Sequence, residues 1–191
     1  MRIDFVSDVA CPWCAVGLNS LERALERVGD TVPVELHFQP FELNPDMAAE
    51  GADASEYLRG KYGLSAEQLE RNRANIRARG AAVGFAFGER AHVWNTFDAH
   101  RLLYWAGLEG RQRELKHALL QAYHGEGRNP GARDVLVELA GAVGLDVAAA
   151  GEVYDSGAYA DEVRDEERRW QQLGISSVPS IVIDGRHLIQ G

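Results

Sequence analysis

Two cysteines are the residues of this chain whose type and spacing are best suited to chemistry. Cys11 and Cys14 are the only two in 191 residues, and they form the motif Cys-Pro-Trp-Cys. The strand-like residues Ile3-Asp4-Phe5-Val6 precede the motif, and apolar residues at helical spacing follow it. A C-x-x-C pair in this context is typical of thiol–disulfide exchange. The pair therefore predicts a redox-active dithiol.

The position of the helix start predicts different roles for the two sulfurs. Pro12 suits the first helical position, where its missing N–H would have no partner, and this makes Cys11 the N-cap. There the sulfur can accept from the N–H groups of Trp13 and Cys14, and the helix dipole favours a thiolate. Such surroundings can lower a thiol pKa from about 8.5 to roughly 3.5–7.5, so Cys11 is the predicted nucleophile, exposed at the tip. Cys14 lies in phase with Leu18, on the face towards the sheet, so we expect a shielded resolving thiol.

Three other interpretations of the cysteine pair compete with a redox role. A structural zinc site needs four ligands, but the chain has no second cysteine pair, and its six histidines show no H-x₃₋₅-H spacing. A stabilising disulfide would contribute little, because so short a loop removes little entropy from the unfolded chain. Coincidental placement is the third interpretation, and Pro179, described below, weakens it.

The chain divides into an α/β pattern at its two ends and a helical pattern between them. Strand, helix and strand within the first 40 residues indicate a βαβ unit with a parallel pair. From about residue 50 to 173 the apolar spacing is almost wholly helical. The chain then returns to strand patterns on either side of Asp184-Gly185, which predicts a β-hairpin.

Local signals mark the expected helices of the middle segment. They are a Ser65–Gln68 capping box, a cap at Asn95, a start at Asn129-Pro130, and an apolar face formed by Tyr159, Val163, Trp170 and Leu173.

Composition excludes some classes of partner. The hydrophobic fraction of 46% can fill the core of one to two domains. A net charge of −9, from 29 acidic and 20 basic residues, argues against nucleic-acid and anionic-membrane surfaces. No stretch approaches the roughly 20 apolar residues of a membrane span, and the N-terminus has no signal-peptide pattern. We therefore expect a cytoplasmic protein, in which a persistent structural disulfide would be an exception.

Pro179 supplies the second part of the predicted site. Proline is tolerated at the start of the hairpin's first strand, because it need not donate to the ladder there. A C-x-x-C after the first strand, with Val178-Pro179 before a late hairpin, resembles the thioredoxin superfamily. The resemblance implies that Pro179 is cis and faces Cys11 and Cys14. It also implies that the Val178 backbone pairs with an extended substrate segment.

The helical middle segment narrows this resemblance to the DsbA-like thiol–disulfide oxidoreductases. Within them the chain resembles the FrnE-type branch, which is related to the 2-hydroxychromene-2-carboxylate isomerases and the kappa-class glutathione transferases. The segments that carry the resemblance are Asp8-Val9-Ala10-Cys11-Pro12-Trp13-Cys14, Pro40-Phe41-Glu42-Leu43-Asn44-Pro45-Asp46, Asn95-Thr96-Phe97-Asp98-Ala99-His100-Arg101 and Gly174 to Gly185.

The resemblance implies a fold and a set of partners. The fold would be α/β and thioredoxin-like (βαβ … ββ), with residues 1–48 and 158–191 in one domain and residues 49–157 in an all-helical insertion domain. The partners would be thiol- or disulfide-containing proteins or small molecules, with a recycling reductant or oxidant. No cofactor is expected beyond the Cys11–Cys14 disulfide, with glutathione as a candidate co-substrate, and no metal.

Two features depart from the superfamily pattern. The buried acid usually found about six residues before the first cysteine is replaced by Phe5, while Asp4 should point to the opposite face of the strand and Asp8 lies at its end. The acceptor of the Cys14 proton is therefore open between Asp8 and a water molecule. The superfamily also adds a helix after the hairpin, so either the last face of the sheet is left uncovered or the natural chain continues beyond Gly191, and we expect the second.

Three further residues have two interpretations each. Trp13 is either an exposed apolar contact for substrates or a side chain packed partly on its own domain. His100 could approach the site, although an ordinary helical histidine is the favoured interpretation. Asn95 is favoured as a helix cap over a ligand group.

Three functions compete. A thiol–disulfide oxidoreductase or isomerase is favoured, because both cysteines are present. The second is a glutathione-dependent isomerase or transferase, but those relatives typically carry serine at the position of Cys11. The third is a non-catalytic thioredoxin-like module that binds a client in its groove.

Overall fold

The computed structural model describes residues 1–191, except for the side chain of Asp30. The described residues form six strands and eight α-helices, with a 3₁₀ turn at Gly29–Thr31 and a π-helical turn at Gln121–Gly125. In chain order the elements are β1 (Arg2–Ser7), α1 (Pro12–Val28), β2 (Glu35–Pro40), β3 (Ala52–Asp53), α2 (Ala54–Tyr62), α3 (Ala66–Val83), β4 (His92–Val93), α4 (Phe97–Leu108), α5 (Gln112–Leu120), α6 (Arg133–Ala142), α7 (Val147–Ser156), α8 (Ala160–Gln172), β5 (Ser180–Ile183) and β6 (His187–Gln190).

A four-stranded sheet brings the two ends of the chain together. Its strand order is β2-β1-β5-β6, with β1 parallel to β2 and antiparallel to β5, and β5 antiparallel to β6. The predicted thioredoxin-like βαβ … ββ arrangement is therefore confirmed. The hairpin turns at Asp184 and Gly185, whose φ angles of 50° and 63° lie in the left-handed region that Asp and Gly tolerate best.

The first helix packs closely against the sheet and the loop before β5. Its residues Ala15 and Leu18 are fully buried beside Phe5 and Phe38 of the sheet. A Cβ atom at Gly17 would lie 2.9 Å from the Cγ atom of Pro179, so a larger residue would force the helix and this loop apart. This contact holds the start of α1 next to the loop that ends at Pro179.

The middle segment is helical, as predicted. Its main apolar cluster is built from α4, α5, α6 and α7, and it also includes Val9 and Ala10 from the loop after β1. The segment also contains the antiparallel pair β3–β4, in which each strand has two residues. The Ser65–Gln68 capping box is confirmed at the start of α3.

One predicted helix start is wrong. The helix expected at Asn129-Pro130 begins only at Arg133. The Asn129 side chain accepts a hydrogen bond from the Gly131 N–H at 2.8 Å, and its carbonyl accepts from Ala132 at 3.3 Å. Asn129 therefore closes a tight turn before the helix instead of capping it.

Two other predicted helix ends differ from the observed ends by about one residue. Asn95 lies just before the N-cap position of α4, but its side chain still accepts a hydrogen bond from the N–H of Phe97 at 2.8 Å. At the other end of the segment, α8 buries Val163 and Trp170 and ends before Leu173, which is exposed. Leu173 therefore does not belong to the apolar face predicted for this helix.

None of the helices in the described residues is long and apolar enough to cross a membrane. The same residues contain no cluster of three or more His, Cys, Asp and Glu side chains that could hold a metal ion.

Candidate active site

The dithiol lies at the start of α1, where the chain leaves the sheet. As predicted, Pro12 is the first helical residue and Cys11 is the N-cap, with an extended backbone (φ −88°, ψ 114°). Both cysteines are free thiols. The peptide bond between Val178 and Pro179 is cis, as the resemblance implied.

Cys11 is buried, and the prediction of an exposed sulfur is wrong. Only 4% of the residue is exposed, and its Sγ donates a hydrogen bond to the carbonyl oxygen of Val178 at 3.6 Å. The loop before β5 is the cause, since Ile175 and Val178 pack with Cys11 in one apolar cluster. The Cys11 sulfur makes no full capping hydrogen bond, but the predicted N–H groups of Trp13 and Cys14 still lower its pKa. The exposed member of the motif is Trp13, at 39%.

Cys14 is fully buried on the face of α1 that packs against the sheet, as predicted. This burial raises the pKa of Cys14 well above its ordinary value, and the hydrogen bond it donates to Cys11 acts in the same direction. That hydrogen bond is the largest of the effects that lower the pKa of Cys11, and the N–H groups of Cys14 and Trp13 lower it further against the opposing effect of burial. The two thiols are therefore chemically unequal.

Asp8, at the end of β1, accepts hydrogen bonds on both carboxylate oxygens. Its Oδ1 atom accepts from the Ala10 N–H at 3.0 Å, the Thr96 hydroxyl at 2.8 Å and Nε2 of His100 at 3.3 Å. Its Oδ2 atom accepts from the Leu43 N–H at 2.7 Å. Burial would by itself raise the pKa of Asp8, but these donors, His100 foremost, hold it below its usual range. Asp8 therefore remains a carboxylate and is a weak acceptor for the Cys14 proton.

Helix α5 contributes a buried lysine to the same region. Lys116 is 1% exposed and lines a small cavity together with His37, His100 and Glu166. Burial lowers the pKa of Lys116, while the charges of Cys14, Asp8 and Cys11 act in the opposite direction. The Lys116 charge in turn opposes part of the rise in the pKa of Cys14.

Residues 2–191 match the family described as a DSBA-like thioredoxin domain. The chain belongs to this family. It is also similar along its whole length to the crystal structure of the probable DsbA oxidoreductase SCO1869 from Streptomyces coelicolor. The two are 38% identical with a TM-score of 0.92, and the match covers 100% of this chain and 83% of that one.

Two more distant solved structures share the DSBA-like fold. One is a 2-hydroxychromene-2-carboxylate isomerase, with a TM-score of 0.77 and 16% identity over 100% of this chain and 89% of that one. The other is the cytosolic disulfide reductase DsbM from Pseudomonas aeruginosa with GSH, with a TM-score of 0.68 and 18% identity over 100% of this chain and 90% of that one.

Within this DSBA-like domain, the structure brings together residues that sequence reasoning did not connect. His100 was favoured as an ordinary helical histidine, yet it is buried and donates to Asp8 near the dithiol. Lys116 is absent from the predicted site residues, although a lysine among Leu115, Leu119 and Leu120 is a detectable signal of a buried charge.

The superfamily's usual acid position is apolar here, as the sequence indicated. Phe5 is fully buried in the core between α1 and the sheet. The neighbouring carboxylate of Asp4 accepts hydrogen bonds from Arg2 at 2.7 and 2.9 Å and from Gln39 at 2.7 Å. The hydrogen-bond partners of Asp4 therefore lie on the sheet strands β1 and β2 and not at the dithiol.

A second buried carboxylate lies beside Asp8. Glu42 immediately precedes Leu43 in the chain and shares the guanidinium of Arg164 with Glu167. Burial raises the pKa of Glu42 to about 7, and the Glu167 charge adds to this effect, against the opposing charges of His100 and Arg164. One carboxylate oxygen of Glu42 and one of Glu167 have no hydrogen-bond partner.

Cys11 lines a large cleft between the start of α1, the loop before β5 and the helical segment. The cleft has a volume of about 1360 Å³, and Cys11, Pro12, Trp13 and Val178 line one end of it. Its other walls come mainly from α2, α3 and the segment after α3. They include apolar side chains and cations: Leu58, Leu69, Ile76, Phe87, Arg73, Arg77 and Arg90.

Proposed function

We propose that this protein is a thiol–disulfide oxidoreductase or isomerase that exchanges disulfides with protein or small-molecule thiols through Cys11 and Cys14. The observation that carries the proposal is the inequality of the two thiols. Cys11 lines the cleft and has a lowered pKa, whereas Cys14 is fully buried and has a raised one. Membership of the DSBA-like family supports the same reaction class.

The proposed reaction has two exchange steps. The Cys11 thiolate attacks one sulfur of a substrate disulfide, so that a mixed disulfide forms and the other substrate sulfur leaves as a thiolate. Cys14 then attacks the Cys11 sulfur and releases the remaining substrate thiol. The dithiol ends as the Cys11–Cys14 disulfide, and a reductant must restore it. The same steps run in reverse when the oxidised protein meets a substrate dithiol.

Substrates would reach Cys11 through the cleft, because the sulfur itself is almost fully covered. The cleft is large enough for glutathione or for an extended polypeptide segment, and Val178 lines it together with Cys11. The likeness to DsbM with GSH supports glutathione as a co-substrate, and its cytosolic description supports a cytoplasmic location for this protein. The dithiol itself would be the sole redox group.

Single cysteine variants test the proposal. The reduced wild type, Cys11→Ser and Cys14→Ser are each mixed with glutathione disulfide, and the products are followed by intact mass spectrometry. We expect the wild type to pass to its internal disulfide, Cys14→Ser to accumulate a glutathione adduct, and Cys11→Ser to react at least about a hundredfold more slowly. Equal reactivity of the two variants would overturn the assignment of roles.

A glutathione-dependent isomerase is the second candidate, because the fold is shared with 2-hydroxychromene-2-carboxylate isomerase. Glutathione-dependent turnover that survives Cys14→Ser would support that candidate over disulfide exchange. Activity that survives replacement of both cysteines would instead support a non-catalytic binding module.

The direction of exchange follows from the reduction potential, measured by equilibration in glutathione buffers. A value near about −270 mV would make the protein a reductant, and one near about −120 mV an oxidant.

A further inference from the structure

Several arginines line the cleft beside Cys11, and their charges are not equivalent. The Nη2 atom of Arg77 forms a salt bridge with the Oε1 atom of Glu70 at 2.6 Å, so much of its charge is cancelled. Arg90 instead donates a hydrogen bond from Nη1 to the carbonyl oxygen of Ala10 at 3.1 Å. A carbonyl is a neutral acceptor, so this bond holds the Arg90 guanidinium in place without cancelling its charge.

The contacts of Arg90 place its guanidinium close to the reactive end of the cleft. Ala10, whose carbonyl accepts the hydrogen bond, directly precedes Cys11 in the chain. The guanidinium also lies over the ring of Tyr123, with Cζ 5.4 Å from the ring centroid, and Tyr123 is fully buried. A backbone carbonyl and a buried ring therefore position this cation next to the residue that carries the nucleophilic sulfur.

A guanidinium held in this way is suited to bind a carboxylate. It has five N–H donors in a planar fork, and the bond to Ala10 uses one of them. The fork matches the two oxygens of a carboxylate, and such charge-assisted pairs are about twice as strong as neutral hydrogen bonds. Arg90 is half-buried and lines the cleft, so a substrate that enters the cleft can reach it.

Acidic side chains also line the cleft, and they differ in their surroundings. Glu70 is paired with Arg77, and Asp53 caps the start of α2. Glu89, which precedes Arg90 in the chain, is exposed to solvent, where its charge is screened. The whole chain carries a net charge of −9 and repels anions at long range. A preference for an anionic substrate therefore requires a local cation, and Arg90 is placed to supply it.

We propose that Arg90 binds a carboxylate of the substrate and thereby makes small acidic disulfides the preferred substrates of Cys11. This inference rests on the proposed function and names its substrate class. Glutathione disulfide belongs to this class because it carries carboxylates. Arg90 forms no bond to sulfur and moves no proton, so the exchange steps remain those described above. Its role is to determine specificity.

The test compares two small disulfides that differ in charge and hardly in shape: 3,3′-dithiodipropionic acid and its diamide. Each is mixed with reduced protein at neutral pH, and the loss of the reduced form is timed by intact mass spectrometry. The proteins are the wild type, Arg90→Gln, Arg90→Lys and the control Arg71→Gln, which removes an equal charge from an exposed position on α3. The ratio of the acid rate to the diamide rate cancels any difference in the reactivity of Cys11.

We expect Arg90→Gln to lower this ratio about fivefold or more, the effect of losing one hydrogen bond to a charged group. Arg90→Lys should keep part of the preference, because it retains the charge without the planar fork. Arg71→Gln should stay within about twofold of the wild type, because exposed charges are screened. A ratio in Arg90→Gln within about twofold of the wild type, on the same scale, would overturn the proposal. If both rates fell together at that unchanged ratio, Arg90 would have only a structural role at Ala10.

A measurement on the unaltered chain covers the case in which Arg90→Gln fails to fold. The same two rates are measured for the reduced wild type when it is folded and when it is unfolded in urea. Both states have the same composition, so only the folded state can place a cation beside Cys11. We expect the folded ratio to exceed the unfolded ratio about threefold or more. An equal or lower ratio in the folded state would overturn the proposal.

The source of the carboxylate is tested with two peptide disulfides that have either Glu or Gln beside the cysteine. An Arg90-dependent preference that is confined to these peptides would assign the contact to protein substrates and overturn the proposed substrate class. The proposed function is tested separately by the product. If neither small disulfide converted the wild type to its internal disulfide, disulfide exchange itself would fail. If both did so without an Arg90-dependent difference, only the role of Arg90 would fail.

Discussion

The two sides of the dithiol differ in how they are built. The front is the side on which Cys11 meets the cleft, and it consists of the local motif, the Val178 carbonyl and apolar side chains. The back is the side on which Cys14 is enclosed, and it contains the buried titratable groups of Asp8, His100 and Lys116. The front can therefore admit a substrate, whereas the back controls the ionisation of the thiol that the substrate does not reach.

This difference has an energetic consequence. Buried charges depend on their few partners, so the loss of one partner on the back leaves another polar group unsatisfied. The front is partly exposed at Trp13 and relies on packing and backbone contacts. Substitutions on the back should therefore affect folding and pH dependence, and substitutions on the front should mainly affect substrate use.

The largest effect is expected from Asp8→Ala. It removes the acceptor for four hydrogen bonds and leaves His100 and Thr96 buried without their partner. We expect a loss of about 3–5 kcal/mol in the free energy of unfolding, measured by urea denaturation. The control Asp46→Ala alters an exposed carboxylate and should change stability by no more than about 0.5 kcal/mol. If Asp8→Ala and Asp46→Ala lost equal free energy of unfolding, the buried polar groups around Cys14 would contribute no more to stability than surface groups do.

The second effect concerns pH and Glu42. The folded protein holds the Glu42 proton up to a pKa of about 7, against an ordinary value of 4.5, so the folded state binds more protons than the unfolded state between these pH values. Stability should therefore fall as pH rises from about 4.5 to 7, by roughly 2–3 kcal/mol from this group.

In the variant Glu42→Gln, the free energy of unfolding should fall much less as pH rises, because the glutamine has no proton to release. Urea denaturation of both proteins at pH 5 and pH 8 measures the difference. A decline of the same size in the variant would show that Glu42 is not its source.

The smallest effect on folding is expected at the front. Trp13→Ala removes a side chain that is 39% exposed, so stability should fall by no more than about 1 kcal/mol in the same urea assay. Its effect should appear instead as a several-fold rise in KM for glutathione disulfide, because Trp13 lines the cleft next to Cys11. A stability loss as large as that of Asp8→Ala would show that Trp13 is part of the protein core. It would contradict the difference in stability expected between the front and the back of the dithiol.

The fold and the motif could be predicted from sequence because their signals are local. The strand and helix periodicities around Cys11, the capping box at Ser65 and the Asp184-Gly185 turn each depend on neighbours within a few residues. The Asn129-Pro130 error arose from a local ambiguity, since the same side chain can close a turn or cap a helix.

The burial of Cys11 and the composition of the back could not be predicted in this way. Val178 covers Cys11 from 167 positions away, and His100 reaches Asp8 from 92 positions away. Lys116 lies on α5, a different helix of the middle segment. These contacts depend on how the helical segment docks on the sheet, and no spacing rule along the chain encodes that arrangement.

The central claim is that the two thiols have unequal acidity, and the most direct test is to titrate both in one sample. With ¹³Cβ-labelled cysteine, the reduced wild type gives two signals, one each from Cys11 and Cys14. We expect Cys11 to ionise below the free-cysteine pKa of about 8.5 and Cys14 to ionise well above it. Two thiols that titrate together near about 8.5, or a Cys14 that ionises first, would contradict it.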